Sequence, residues 1–443
     1  MQRNIDAYLA DWKTSSSRKS LLIRGARQVG KTYSVRELGR QFKYFLEVNF
    51  EEEKKLSAFF QDSLNPETIC EKLSLYFSTP IVPGETLLFF DEIQACPEAL
   101  GSLRFFYEKM PELHVASAGS LLEFTLEEIP SLGVGRIQSL FLYPLSFGEF
   151  LTALGEEGLR TASENAGSDR PLVDPFHKKL IDYLKIYQYI GGLPAVVRRY
   201  LEKKNVAGCM EELTDILVAL RDDFAKYKSR SPVGRLREVF DSIVLQAGGK
   251  FKYSSVDSSS SSHTLKSALE LLVQAGLAYK VHHTSARGLP LGAQANPKKF
   301  KVLLFDIGIH QRLLGLDLRE YLISNDFEVV NRGHLAEVLV GLELIANAPP
   351  ASRPALYYWQ REARGSNAEV DYVIQRGREI IPIEVKAGTR GQMQSLFRFL
   401  GERQLKSGIR ISLENFAGYD NISVIPLYAA GNLIRTAEVT SGG

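Results

Sequence analysis

In the first 150 positions the apolar residues recur as short runs: SLLIRG, KYFLEVNF, TLLFFDE, LHVASAGS and RIQSLFLYPL. Stretches of helical spacing separate them, and this rhythm predicts a mainly parallel sheet wrapped by helices, an α/β fold. The polar stretch LGEEGLRTASENAGSDRPLVDP then reads as a loop or a boundary. Residues 176–228 have a helical pattern interrupted by the turn GGLP at 191–194. From Pro232 to Phe305 the pattern becomes two helices and two strands, the strands separated by RGLPLGAQANPKK, which is the outline of a winged helix. Its second helix, His263 to Ala275, follows SSVDSSSSS, a low-complexity run expected to be mobile. A last α/β unit begins near 326, giving an expected division into 1–152, 172–230, 231–308 and 326–443 with no internal repeat.

Composition changes this picture little. With 443 residues, 44% hydrophobic and 24% charged, the chain is ordinary globular material for about two to four domains. A net charge of +2 supplies no overall field for nucleic acid, so any such contact needs a local basic patch. Cys70, Cys96 and Cys209 are far apart, which argues against a disulfide framework or a cysteine zinc site. The histidines, His282, His283 and His334 among them, form no ligand spacing. The opening MQRNIDAYLADWKTSSS has no apolar signal core, and no run of about 18 uncharged apolar residues occurs. A cytoplasmic protein without a membrane segment is expected.

The stretch SLLIRGARQVGKTYS contains Gly25, Ala26, Arg27, Gln28, Val29, Gly30, Lys31 and Thr32, a complete G-x-x-x-x-G-K-T between an apolar strand and a helical pattern. Its glycines let the backbone wrap phosphates, Lys31 would contact the β- and γ-phosphates of ATP, and Thr32 would bind Mg²⁺. TLLFFDE is an apolar strand ending in two acids. Asp91 would hold the metal and Glu92 would orient or polarise the attacking water. Ser117 and Ser120, at the end of HVASAGS, are candidate sensors of the γ-phosphate, and Arg136 is a candidate phosphate contact from its own or a neighbouring subunit.

GARQVGKT, FFDEIQ, SAGS, GRIQSL with YPLSFGEF, and GGLP together resemble a bacterial and archaeal family of AAA+-type ATPases. The resemblance covers nearly the whole chain. It implies a P-loop ATPase core, a helical segment, a winged helix and a C-terminal domain, and, by fold analogy, a homo-oligomer. One departure is Ala118, where family members tend to carry threonine.

The sequence EVDYVIQRGREIIPIEVKAG reads as a hairpin turning at Gly377-Arg378, a Gly-X pair suited to a type II′ turn. Partners then sum to 755, which sets Asp371 opposite Glu384 and Glu369 opposite Lys386, all on one face. Like charges face to face destabilise a strand pair, and a divalent cation, Mg²⁺ or Mn²⁺, between Asp371 and Glu384 would remove the conflict. RGHLAEVLVGLELIA reads as a buried helix carrying Glu337, a carboxylate that needs the metal or Lys386 as partner. Glu343 reads as a peripheral charge. Glu337, Asp371, Glu384 and Lys386 together look like the active-site signature of restriction-endonuclease-like nucleases, a group that includes Holliday junction resolvases. A charged, solvated hairpin face is the bland alternative.

Lys226, Lys228, Arg230, Arg235 and Arg237 could contact phosphates of DNA or RNA, or form a solvated helix face. The expectation is an ATP- and Mg²⁺-binding ATPase, slow on its own, that couples nucleotide state to binding or metal-dependent cleavage of nucleic acid. Two alternatives stay open: an ATP-driven switch or scaffold whose nuclease-like domain binds protein or nucleic acid without cutting, and a P-loop signalling or toxin-antitoxin-like regulator whose winged helix binds a protein.

Overall fold

A computed structural model describes residues 1–120, 122, 126, 135–228, 230–315, 334–362, 368–389 and 391–434. The amino-terminal part contains α1 (Ile5–Thr14), β1 (Ser20–Arg24), α2 (Lys31–Gly39), β2 (Tyr44–Asn49), α3 (Pro66–Phe77), β3 (Thr86–Asp91), α4 (Pro97–Lys109), β4 (His114–Ala118) and β5 (Ile137–Phe141). The five strands form one wholly parallel sheet in the order β2-β3-β4-β1-β5. Every residue of β3 and β4 is buried, as expected where helices cover both faces of a parallel sheet. Alternate residues enter different cores: Leu87 and Phe89 pack on one side of the sheet, Leu88 and Phe90 on the other. This arrangement gathers the carboxyl ends of β1, β3 and β4 at one edge, where α/β sheets bind ligands.

Helices α5 (Phe147–Ala153), α6 (Glu157–Glu164), α7 (Asp174–Ile190), α8 (Pro194–Lys203), α9 (Val206–Asp223), α10 (Val233–Leu245) and α11 (Ser262–Gln274) follow. The polar stretch after Leu154 is therefore partly helical, because Leu159 and Ser163 bury one side of α6. The serine run is also ordered by local chemistry. Asp257 accepts hydrogen bonds from Ser259 N (2.8 Å), Ser259 Oγ (2.7 Å) and Ser260 Oγ (2.5 Å), and pairs with Arg235 at 2.8 Å. This is Asx-turn chemistry.

The remainder comprises β6 (Ala278–Thr284), β7 (Ala295–Leu304), α12 (Ile307–Leu314), α13 (Leu335–Ala346), β8 (Leu356–Gln360), β9 (Glu369–Arg376), β10 (Glu379–Val385), α14 (Gln394–Arg403), β11 (Gly408–Ser412), β12 (Ala417–Tyr419) and β13 (Ile422–Pro426). All eight strands make one mixed sheet, ordered β12-β13-β11-β10-β9-β8-β6-β7. The helix-helix-strand-strand order read from Pro232 onward is present, but its strands do not form a separate wing. β6 pairs with β7 on one edge and, in parallel, with β8 on the other, with Val281 opposite Leu356. The connecting loop is held down as well: Ala286 and Leu291 pack with Trp359 and Phe399, and Arg403 Nε donates to Ser285 O at 2.9 Å.

Helix α13 joins the two halves. Ten of its twelve residues are buried. Glu343, expected at the periphery, is only 3% exposed and accepts hydrogen bonds from Phe147 N (2.8 Å), Tyr187 Oη (3.1 Å) and Asn347 Nδ2 (3.1 Å). A helix covered all round has no peripheral flank, so its carboxylate takes donors from the first half instead.

Candidate functional site

At the end of β1 the chain turns through Gly25 (φ +149°), Gln28 (φ +64°) and Gly30 (φ +97°) before α2 begins at Lys31. A Cβ at Gly25 would lie 2.1 Å from Leu142 O, so the loop cannot accept a side chain there. No side chain caps α2, which leaves its first N–H groups free for an anion. Lys31 is buried, and its Nζ donates to Gly25 O (3.0 Å) and Ala26 O (2.7 Å). Burial pushes its pKa down to about 8, against the opposing pull of Glu92 and Asp91. A phosphate would supply the counter-charge this ammonium lacks.

Thr32 Oγ1 donates to Asp91 at 3.0 and 3.2 Å to the two carboxylate oxygens. Burial, with the nearby charge of Glu92, raises the Asp91 pKa to about 6. A hydroxyl and a buried carboxylate in contact are hard oxygen donors that fit Mg²⁺. Glu92, in the left-handed region at φ +47°, accepts from Gln94 Nε2 at 2.6 Å. A cleft of about 550 Å³ opens here, lined by Gln28, Lys31, Thr32, Glu92, Ser120 and Arg198 among others. Ser120 accepts from Arg27 Nε at 3.2 Å.

Ser117 and Arg136 are turned away from this cleft. Ser117 is fully buried and donates to Leu21 O at 2.7 Å, so its hydroxyl ties β4 to β1 instead of facing a nucleotide. Arg136 immediately precedes β5, whose Ile137 lies opposite Ser20 at the start of β1. It therefore sits at the amino edge of the sheet, roughly 16 Å of strand rise from the P-loop, and pairs with Glu108. Reach from Arg136 to the phosphate cradle of its own chain is excluded.

Two arginines at the loop, Arg3 and Arg198, were not read from the sequence, and Arg27, read as part of the loop, takes a partner that was not foreseen. Buried Arg3 donates to Val29 O in the loop (2.9 Å), Glu149 Oε1 (3.0 Å) and Tyr143 O (2.7 Å). Arg27 bonds Asp223 at the end of α9 at 2.5 Å. Arg198 of α8 brings a cation to the cleft wall. A lone arginine carries no periodic signal, and only the fold brings Arg3 and Arg198 to the loop and Asp223 to Arg27.

The second group of residues lies where β7, α13, β9 and β10 meet. Hairpin partners run Glu379 with Arg376 through Ile383 with Tyr372, the register read from the sequence, and Gly377 has the positive φ (+58°) its turn needs. Two pairings differ from expectation. Lys386 Nζ bonds Glu384 Oε1 at 2.7 Å, whereas Glu369 pairs with Lys301 at 2.5 Å. Glu337 is not paired with Lys386: Lys301 Nζ lies 3.3 Å from its Oε2 and His334 Nδ1 lies 3.0 Å from its Oε1. Lys301 is 4% exposed and stacks 5.2 Å from the Tyr358 ring. It went unread because its only sequence trace is a charge inside KVLLF, where alternation allows one.

Burial would raise the Glu337 pKa, but His334 and Lys301 hold it below the ordinary value. Asp371 is driven well above its ordinary value by burial and then by Glu337 and Glu384, although Val385 N donates to it at 2.7 Å. Burial also raises Glu384, against Lys386. Its Oε2 is buried with no hydrogen-bond partner. Two adjoining carboxylates, one with an orphaned oxygen, are donors of the kind a hard divalent cation takes. Among the described residues no three His, Cys, Asp or Glu side chains converge as a ready ligand set.

Residues 17–151 match a family model described as "AAA domain". Residues 17–151, about a third of the chain, are thus similar to an AAA-type P-loop ATPase domain. Residues 181–320 and 332–430 match two models described as domains of unknown function, DUF8612 and DUF4143. The search of curated proteins returns no match. Similar solved structures include the Walker-type ATPase paby2304 of Pyrococcus abyssi, at 16% identity over 71% of this chain and 95% of that one, TM-score 0.45. Another is the Aeropyrum pernix ORC1 protein in complex with DNA, at 15% identity over 73% and 95%, TM-score 0.28.

Outside the AAA domain, two of the five basic residues in the segment, Lys226 and Arg235, have acidic partners. Lys226 lies near Glu51 (3.7 Å) and Asp223 (3.5 Å), and Arg235 pairs with Glu238 and Asp257 at 2.6 and 2.8 Å. The second helix of the presumed winged helix ends against the ATPase loop: a Cβ at Gly276 would lie 3.2 Å from Ala26 N. Among the described residues no helix is long and apolar enough to cross a membrane.

Proposed function

We propose that the protein binds and hydrolyses ATP in the AAA domain and uses nucleotide state to govern a metal-dependent, nuclease-like site at Asp371, Glu384 and Lys386 that acts on nucleic acid. The observation that carries the ATPase reading is the contact of Thr32 with Asp91 beside Lys31. Lys31 and the free N–H groups of α2 hold the β- and γ-phosphates, Glu92 orients the attacking water, and Arg198 balances charge on the γ-phosphate from the α8 side. Thr32 and Asp91 would hold Mg²⁺, which would supply positive charge to the phosphates. At the second site Asp371 and Glu384 would hold a divalent cation, which would supply polarisation of a phosphodiester and a lowered pKa for a bound water. Lys386 carries positive charge to the phosphate. The orphaned Glu384 Oε2 supports this reading most.

The segment 231–308 keeps the order of a winged helix, and we read it as a strut between the halves. Its connecting loop is packed against Trp359, and its second helix ends on Ala26. The paired states of Lys226 and Arg235 favour a second reading, an ATP-driven switch or scaffold that binds a protein or nucleic acid without cutting it. A homo-oligomer and a cytoplasmic setting accompany both readings.

Cleavage of linear, branched and single-stranded DNA and RNA with Mg²⁺ or Mn²⁺, with and without ATP, tests the choice. Cleavage by wild type that is lost in Lys386→Ala, with ATP hydrolysis intact, supports the nuclease. Protein that hydrolyses ATP and cuts nothing is the switch.

A further inference from the structure

Four carboxylates of α13, β9 and β10 surround the place where Lys301 of β7 enters, without converging as one ligand set, and they divide into two unlike pairs. Glu337 and Glu369 flank Lys301, whose Nζ lies 3.3 and 2.5 Å from them. A lysine so placed is a permanent point charge, sealed from water and held by two anions. Asp371 and Glu384 lie next to each other in the hairpin and hold no sealed cation between them: Lys301 makes its contacts with Glu337 and Glu369 and is only a neighbouring charge to Asp371. Lys386 reaches only Glu384 Oε1, and Glu384, 6% exposed, keeps its Oε2 without a partner. The buried Tyr358 hydroxyl, on the strand beside β9, is also unpartnered. An anionic oxygen shut away from water with nothing bound to it marks a place for a cation.

We propose that Lys301 is a built-in cation occupying one half of the acid cluster, so that the site takes a single divalent ion, between Asp371 and Glu384. Glu337 and Glu369 are then positioning residues that hold Lys301, and they are not metal ligands. This rests on the metal-dependent reading of the hairpin given above and deepens it. Two carboxylates suffice for such an ion, because Mg²⁺ commonly keeps several waters and takes further oxygens from substrate phosphates. Lys301 belongs to β7, outside residues 332–430, so a chain reduced to that span would lack half of its charge balance.

The test counts bound Mn²⁺ by electron paramagnetic resonance on the full chain without nucleotide, every arm carrying Asp91→Asn so that the ATPase site contributes no ion. The starting protein should bind one Mn²⁺, and Asp371→Asn should lose it. Glu337→Gln and Glu369→Gln should each keep one ion with affinity changed only a few-fold. Lys301→Gln should bind a second Mn²⁺ beside Glu337 and Glu369, and Lys301→Arg should return the count to one. Two ions in the starting protein, loss of the ion in Glu337→Gln, or a folded Lys301→Gln that still binds one would overturn the inference while leaving a metal site at the hairpin. If Lys301→Gln does not fold, the two glutamine variants decide. No Mn²⁺ in the starting protein overturns both the inference and the metal-dependent reading beneath it.

Discussion

Lys31 and Lys301 are both buried lysines, and their surroundings push them in opposite directions. Around Lys31 burial dominates, the immediate partners are neutral carbonyls, and the pKa falls to about 8. Around Lys301 burial also disfavours the charge, but Glu337, Glu369 and Asp371 outweigh it and raise the pKa. The first ammonium is short of negative charge and ready to accept an anion; the second already has its anions. A buried cation therefore signals a ligand only when its partners are counted.

The largest expected consequence is at Lys301. Lys301→Met leaves Glu337 and Glu369 without their cation, and losing one partner of a buried ion pair typically costs about 3 kcal/mol or more. Urea unfolding should show that loss, and added Mn²⁺ should recover part of it. Lys31→Ala should behave in the reverse way. Folding stability should hold or rise slightly, because a desolvated charge disappears, while nucleotide affinity measured by calorimetry should fall on the order of a hundredfold, about 2.7 kcal/mol. Equal effects of the two substitutions on stability would erase the contrast.

These two sites also differ in how far the sequence announced them. The phosphate cradle is eight consecutive residues whose backbone makes the site, and Asp91 ends an apolar strand, so the spacing alone locates both. The hairpin register was equally legible, since one tight turn at Gly377 sets every partner after it. What stayed hidden depends on contacts between distant segments. Lys301 meets its acids only because β6 lends its second edge to β8 and brings β7 over α13. Glu343 looked peripheral because the helical pattern does not reveal that α5 and α7 cover that flank. Ser117 and Arg136 were misplaced for a related reason: motif order names a strand end but does not say which way a hydroxyl turns or which edge of the sheet an arginine occupies.

A pH series sharpens the comparison further. The folded pKa of Lys31, about 8, lies below the 10.5 of an ordinary lysine. Between those values the unfolded chain keeps a proton that the native protein has lost, so this group makes stability rise with pH across that window. Nucleotide binding runs the other way, because the phosphates need the charged ammonium. Affinity for ADP should fall by about tenfold per unit as pH rises above roughly 8. The trend should be absent in Lys31→Ala. Lys301, whose pKa is raised, should contribute no change in Mn²⁺ affinity over the same range.

The smallest effect concerns the acid that faces Glu384. Asp371 is buried beside like charges, so its ionised form weakens the cation-free protein, yet Val385 N needs an acceptor at that position. Asp371→Asn keeps an acceptor oxygen and removes the repulsion. At neutral pH and without divalent cations the variant should be more stable than wild type, by about 1 kcal/mol, since neutralising a poorly compensated buried charge is often stabilising. Added Mn²⁺ should raise the melting temperature of wild type and leave the variant unchanged, so that the order narrows or reverses. If the variant is less stable than wild type without any cation, Asp371 is a structural carboxylate satisfied by its own surroundings, and the hairpin joins Lys301 on the side of charges already paired.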